Sequence, residues 1–139
     1  MKTKQLVIIL FIGCVVLVTL PGCSSVPVRT TGSILTTKES FLSGRLISQH
    51  TFKLQDIIRY HVDFTWDDVT QGAGVRQVKW NWYKDGKLVA ADKNDNAEFR
   101  KANSGRFTMR PAYGLGRGHF KVECIVDDKP MASEEFDIE

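Results

Sequence analysis

Cysteine is scarce in these 139 residues: Cys14, Cys23 and Cys124 are the full set, too few for a disulfide scaffold. Histidine is equally thin. His50, His61 and His119 lie far apart, and no two share a metal-ligand spacing. No G-x-S-x-G elbow is present. Cys124 and His119 are five residues apart, so on a strand they point to opposite faces and cannot form a nucleophile pair. No catalytic centre and no cofactor are therefore expected. Helical periodicity is missing too. After residue 40 no stretch holds a 3.6-residue apolar period for ten residues, and LQDIIRY (54–60) is only a brief imitation. Charge of one sign is also lacking. The chain carries 19 basic and 16 acidic residues, and setting aside Lys2 and Lys4 leaves 17 basic. That balance gives no footprint for nucleic acid.

What is present begins at the N-terminus. Lys2 and Lys4 precede an apolar run, LVIILFIGCVVLVTL, from Leu6 to Leu20. As a helix it would rise only about 22 Å, short of the roughly 30 Å hydrocarbon core. A basic start, a short apolar stretch and small residues after it describe a cleaved secretory signal over residues 1–22.

Leu20-Pro21-Gly22-Cys23 resembles the lipobox of bacterial lipoproteins, although Pro21 stands where a small or β-branched residue is usual. The resemblance, confined to residues 1–25, implies that Cys23 is lipidated and becomes the first residue of the mature chain. Several acyl chains anchor a protein durably where one does so marginally. Ser24 rather than Asp after the cysteine implies the outer membrane. Cys124 is then left without an intramolecular partner. It sits in the alternating run Phe120, Val122, Cys124, Val126 and is expected to be buried as a small hydrophobe.

Residues 23–40 are rich in Ser and Thr without sustained period and read as a flexible tether, although Ile34-Leu35 could add a short strand. A domain is expected over residues 41–139. FLSGRLIS (41–48) and HTFKLQ (50–55) are candidate strands. RYHVDFTW (59–66) and VRQVKWNWYK (75–84) alternate cleanly, with Tyr60, Val62, Phe64 and Trp66 on one face and Val78, Trp80 and Trp82 on another. Asp85-Gly86 follows directly and signals a type I′ hairpin. Residues 91–104 read as a polar, irregular segment. RFTMR (106–110), HFKVECIV (119–126) and a closing strand through Phe136 and Ile138 complete the pattern. Seven or so short strands at about 8–12 residue intervals predict an all-β antiparallel sandwich.

Trp80 on the third main strand and Gly118-His119-Phe120-Lys121-Val122 opening the penultimate one resemble immunoglobulin-like domains. Phe120 takes the place of the tyrosine-corner Tyr, without its hydroxyl. Val122 and either Val62 or Phe64 replace the inter-sheet cysteines. The resemblance, over residues 58–138, is to disulfide-free domains of bacterial surface and periplasmic proteins. It implies a recognition or spacer module and licenses no activity by itself.

The candidate contact residues are few. Every charge between Phe99 and Val122 is positive: Arg100, Lys101, Arg106, Arg110, Arg117 and Lys121. Arg106, Arg110, Arg117 and Lys121 could form a basic patch for lipopolysaccharide, polysaccharide or an acidic partner. The simpler expectation is cross-strand pairing, with Lys121 opposite or diagonal to Glu135. Tyr83, Tyr113 and His119 could line a sugar-binding surface. Asp92 to Glu98 begins like a calcium loop but carries Ala97 where the sharp turn needs Gly and Asn103 where a bidentate Glu belongs, so it reads as a solvated loop. The expectation is thus a non-enzymatic envelope lipoprotein. It would be held to the membrane through Cys23, with another envelope protein as partner and glycan or lipopolysaccharide as the alternative ligand.

Overall fold

Alternation of apolar residues decides the architecture, because each strand with one apolar face must bury it against another. The computed structural model describes residues 26–44, 47–101 and 105–139. The expected signal, Cys23 and Asn103 lie outside these. In chain order the elements are β1 (Arg29–Thr37), α1 (Lys38–Leu42), β2 (Thr51–Phe52), β3 (Ile57–Thr65), β4 (Gly74–Lys84), β5 (Lys87–Phe99), β6 (Gly105–Pro111), α2 (Ala112–Leu115), β7 (Gly118–Val126) and β8 (Lys129–Ile138). They form two facing sheets, ordered β1-β3-β6 and β2-β8-β7-β4-β5. All the pairings are antiparallel except that of β2 with β8.

The core is the meeting of the two alternating faces. Ile58, Tyr60, Val62 and Phe64 from β3 face Val78, Trp80 and Trp82 from β4 and Phe120, Val122, Cys124 and Val126 from β7, all buried. Each large apolar side chain so buried contributes about 1.5–3 kcal/mol. Tyr60 meets Trp80 edge-to-face at 5.6 Å between centroids. Phe136 is a second hub, stacked on Phe120 at 5.5 Å and edge-to-face with Phe52 and Trp82 at 5.6 and 6.0 Å. Val62, Phe64 and Val122, the positions expected to replace the inter-sheet cysteines, are all buried, the first two in one sheet and the third in the other. Cys124 is free and buried, as expected.

Both seams between the sheets are laced by side chains. At one, Ser33 Oγ on β1 donates to Glu134 Oε1 on β8 at 2.6 Å. At the other, Thr108 and Arg110 on β6 both donate to Asp92 on β5, at 2.8 and 2.7 Å.

The turns follow their residues. Asp85 and Gly86 both take positive φ, 47° and 79°, in a two-residue connection of Lys84 to Lys87. This is the twist a type I′ hairpin needs. Asp127 and Asp128, at 48° and 63°, join β7 to β8 in the same way.

Four expectations are corrected. The tether does not run to residue 40: β1 is paired with β3 from Arg29 to Thr37, and its Leu35 and Thr36 are fully buried. Without β1, the most apolar strand of its sheet would be an unpaired edge. Of the expected strand 41–48, Phe41 and Leu42 belong to α1, capped by Thr37, whose Oγ1 accepts from Ser40 N. The expected strand 50–55 is reduced to Thr51–Phe52. The segment from Ala91 to Phe99 is a strand and not a loop, because β5 pairs with β4 along it, interrupted by one register shift between Asn94 and Ala97. An extended chain points alternate side chains to opposite sides, so Asp92 to Glu98 cannot wrap a cation as a calcium loop does.

Candidate functional site

The two outer faces of the sandwich differ in chemistry. On the five-stranded sheet, the outward residues of β7, β4 and β8 are polar and joined. Lys121 lies directly opposite Glu135 in register, as anticipated. Its Nζ, however, sits 3.7 Å from Glu123 Oε1 on its own strand and 5.6 Å from the Tyr83 ring centroid. Tyr83 Oη donates to Glu123 Oε2 at 3.2 Å and accepts from Asn81 Nδ2 at 3.1 Å. His119 Nδ1 lies 2.9 Å from Asp137 Oδ1, and its Nε2 lies 3.8 Å from Glu135. That hydrogen bond, with the charges of Asp137, Glu135 and Asp85, holds the exposed imidazole above its ordinary pKa. Tyr83, Asp85, His119, Lys121 and Glu135 border a cleft of roughly 340 Å³ at the end of the sandwich that carries the β4–β5 hairpin.

The four candidate cations do not gather into one patch. Arg106 and Arg110 sit at the β5–β6 seam. Arg106 donates to the carbonyls of Gly105 and Glu98 and lies over the Phe99 ring at 4.5 Å. Burial pulls its pKa below the ordinary arginine value. Arg110 pairs with Asp92 at 2.7 Å. Lys121 is on the face just described, and Arg117 is exposed in the link between α2 and β7. Tyr113, on α2, is 74% exposed and lies outside the cleft that joins Tyr83 to His119.

On the three-stranded sheet the outer face is mixed: Arg59, His61 and Asp63 of β3 lie beside Phe107 and Met109 of β6, and His61 Nε2 pairs with Asp63 Oδ1 at 2.9 Å. Arg59 on β3 lies opposite Thr36 on β1 and Met109 on β6. Its guanidinium is clamped between two rings, with Cζ 3.6 Å from the centroid of Phe41 and 3.6 Å from that of Phe107. Its neighbours Phe107 and Met109 on β6 are exposed, as is Leu42, next to Phe41 on α1. Sequence reading passes over this arrangement because its signal is a parity mismatch. β3 turns its charged residues outward, β6 turns Phe107 and Met109 outward, and only the register that pairs Met109 with Arg59 brings them together. Among the described residues, no group of His, Cys, Asp and Glu could hold a metal ion.

No family model matches the chain, and no curated protein matches it. Solved structures do. An immunoglobulin-like protein from Pseudomonas aeruginosa is similar at 11% identity, over 84% of this chain and 99% of that one, with a TM-score of 0.58. The alkylpurine DNA glycosylase AlkC of Pseudomonas fluorescens, bound to DNA with an abasic-site analogue, is similar at 13% identity over 84% of this chain, with a TM-score of 0.53. This chain spans only 31% of that enzyme. A CARDB domain from Pyrococcus furiosus follows at 10% identity and TM-score 0.44, over 84% of this chain and 90% of that one. At such identities the likeness concerns the fold, which is an all-β, immunoglobulin-like sandwich.

Proposed function

We propose that this chain is a non-enzymatic lipoprotein of the bacterial envelope, lipidated at Cys23, anchored in the outer membrane and binding a protein partner through its sandwich. The observation that carries the reading is the join between the LPGC stretch and the fold. β1 starts at Arg29, so residues 24–28 alone separate it from Cys23. That span reaches about 20 Å when fully extended, which would hold the domain close to its membrane. Val26 lies at one end of the sandwich, where Arg76 donates to its carbonyl. The β4–β5 hairpin, α2 and the His119 cleft lie at the other end, facing away from the anchor. Surfaces at the far end suit a partner protein better than the lipid in which the chain itself is embedded. The wide separation of Arg106 and Arg110 from Lys121 gives the lipopolysaccharide alternative no concentrated patch.

The test has two arms. Metabolic labelling with radioactive palmitate should mark the chain and fail for Cys23→Ser, which should also leave the membrane fraction. Photo-cross-linking from exposed positions near the far end, in intact cells, should give a discrete protein adduct. An unlabelled wild-type chain would overturn the anchor. Adducts with glycan or lipopolysaccharide and none with protein would overturn the partner class.

A further inference from the structure

The outer face of the three-stranded sheet holds a built but uncompleted polar site. Arg59 is only 6% exposed. Among the described residues it makes two ring contacts and no ion pair, and its Nε is buried without a hydrogen-bond partner. Thr36 Oγ1, opposite Arg59 in register, is also buried and unpartnered, whereas His61, two residues along β3, already pairs its Nε2 with Asp63 Oδ1 at 2.9 Å. Native folds rarely leave such groups unsatisfied without a use for them. Two donors opposite each other on neighbouring strands, Arg59 Nε and Thr36 Oγ1, mark a place prepared for an acceptor. Burial pulls the Arg59 pKa below the ordinary arginine value, yet an arginine stays charged in proteins, so the missing acceptor is anionic.

The clamp narrows the choice of anion. Rings 3.6 Å above and below Cζ leave the guanidinium approachable only at its edge, within a slot one planar group thick. A carboxylate is planar and meets a guanidinium edge-on through two parallel hydrogen bonds. Phe107 and Met109 beside Arg59, and Leu42 next to Phe41, are exposed and apolar, so the carboxylate is expected with apolar neighbours that cover these side chains. Under the proposed anchoring, the clamp lies away from the membrane-proximal end. Arg29 pairs with Thr65 at the end near Val26, and Arg59 lies six residues back along β3, roughly 20 Å further away.

We infer that the Phe41–Arg59–Phe107 clamp is the docking point for a protein segment that presents an Asp or Glu carboxylate between apolar side chains. The inference rests on the protein-partner reading above and deepens it by naming the surface and its chemistry. The carboxylate completes the donors of Arg59, and the flanking side chains cover Leu42 and Met109.

The probe is the blocked peptide acetyl-Leu-Glu-Leu-amide, titrated into the isotopically labelled full chain and followed through the Arg59 Nε–H resonance. A saturable shift is expected with this peptide and none with acetyl-Leu-Gln-Leu-amide. Arg59→Lys, which keeps the charge but not the fork, should weaken binding at least about tenfold. This comparison of two peptides on the unaltered chain stands even if a variant at Arg59 fails to fold. Equal shifts with both peptides, or none with either, would overturn the inference. So would Arg59-dependent binding to phosphatidylglycerol vesicles without binding to the Glu peptide. A cellular cross-linked partner whose capture survives Arg59→Met would overturn this inference alone and leave the proposed function standing.

Discussion

His119 on β7 and Asp137 on β8 face each other in register, and the imidazole Nδ1 stands 2.9 Å from the carboxylate. The raised imidazole pKa gives this pair a direction in pH. A group whose folded pKa exceeds its unfolded value, near 6.5, stabilises the fold fully below that value. Its contribution then fades as pH rises through the folded pKa. An NMR titration should place His119 above 6.5, and Asp137→Asn should lower it. A His119 titration unchanged by Asp137→Asn would refute the coupling. The side chain is exposed and screened, so the effect belongs in the titration curve more than in the melting temperature.

Arg76 should be more consequential. It is nearly fully buried and donates to Asp127 Oδ2, to the Ala73 carbonyl at two nitrogens and to the Val26 carbonyl. Arg76→Met strands those acceptors. Urea unfolding should show a loss of about 1–3 kcal/mol, the lower half being favoured because Asp127 is half exposed and can rehydrate.

Phe136→Ala removes the ring shared by Phe52, Trp82 and Phe120. A loss of about 3–5 kcal/mol is expected from calorimetry or denaturant titration. Hydrogen exchange should accelerate first in the amides of β2, a two-residue edge strand held to β8 at Asp137, Ile138 and Glu139.

Cys124 offers a chemical check on the core. Burial pushes its thiol up to about 12, so the folded protein should resist iodoacetamide at pH 8 and react once unfolded. Cys124→Ser buries a hydroxyl in the same place and should cost about 1–3 kcal/mol. Rapid alkylation of the native chain would show that the sandwich opens far more readily than its packing suggests.

The two aspartates of the β7–β8 turn should separate by role. Asp127 Oδ1 accepts from Gln77 N at 3.0 Å and its Oδ2 from Arg76, so Asp127→Gly removes contacts and lowers the melting temperature. Asp128 sits exposed at φ 63°, with Lys79 Nζ as a weak partner at 3.7 Å. Asp128→Gly relieves about 1 kcal/mol of left-handed strain, offset in part by glycine's greater chain entropy, and should leave stability unchanged or slightly higher.

Legibility in the sequence follows burial. β3, β4 and β7 alternate because each buries one face and wets the other, so a period of two is written into them. β5 is longer: the Asp85-Gly86 hairpin signals its start at Lys87 to Ala90, but its continuation from Ala91 to Phe99 is not legible. A three-stranded sheet cannot cover a five-stranded one, so most of β5 from Lys87 to Asn96 overhangs and stays wet, leaving no period to read. β1 buries only Leu35 and Thr36 completely, and a strand made of threonines and one short apolar pair resembles a linker. The Arg59 clamp was hidden for a different cause. Its three members come from α1, β3 and β6, and nothing local announces which outward residues a register will bring together.

The short approach to β1 has a mechanical side. A pull on the chain at Val26 enters β1 along its length and is resisted by the run of antiparallel pairing from Arg29 to Thr37. If the opposing grip is at Arg59, next door on β3, the load is carried as shear across the whole ladder. Strands sheared in this way must break many backbone bonds together, whereas strands peeled from one end lose them singly. The same nine residues that looked like slack would then be the tendon of the molecule.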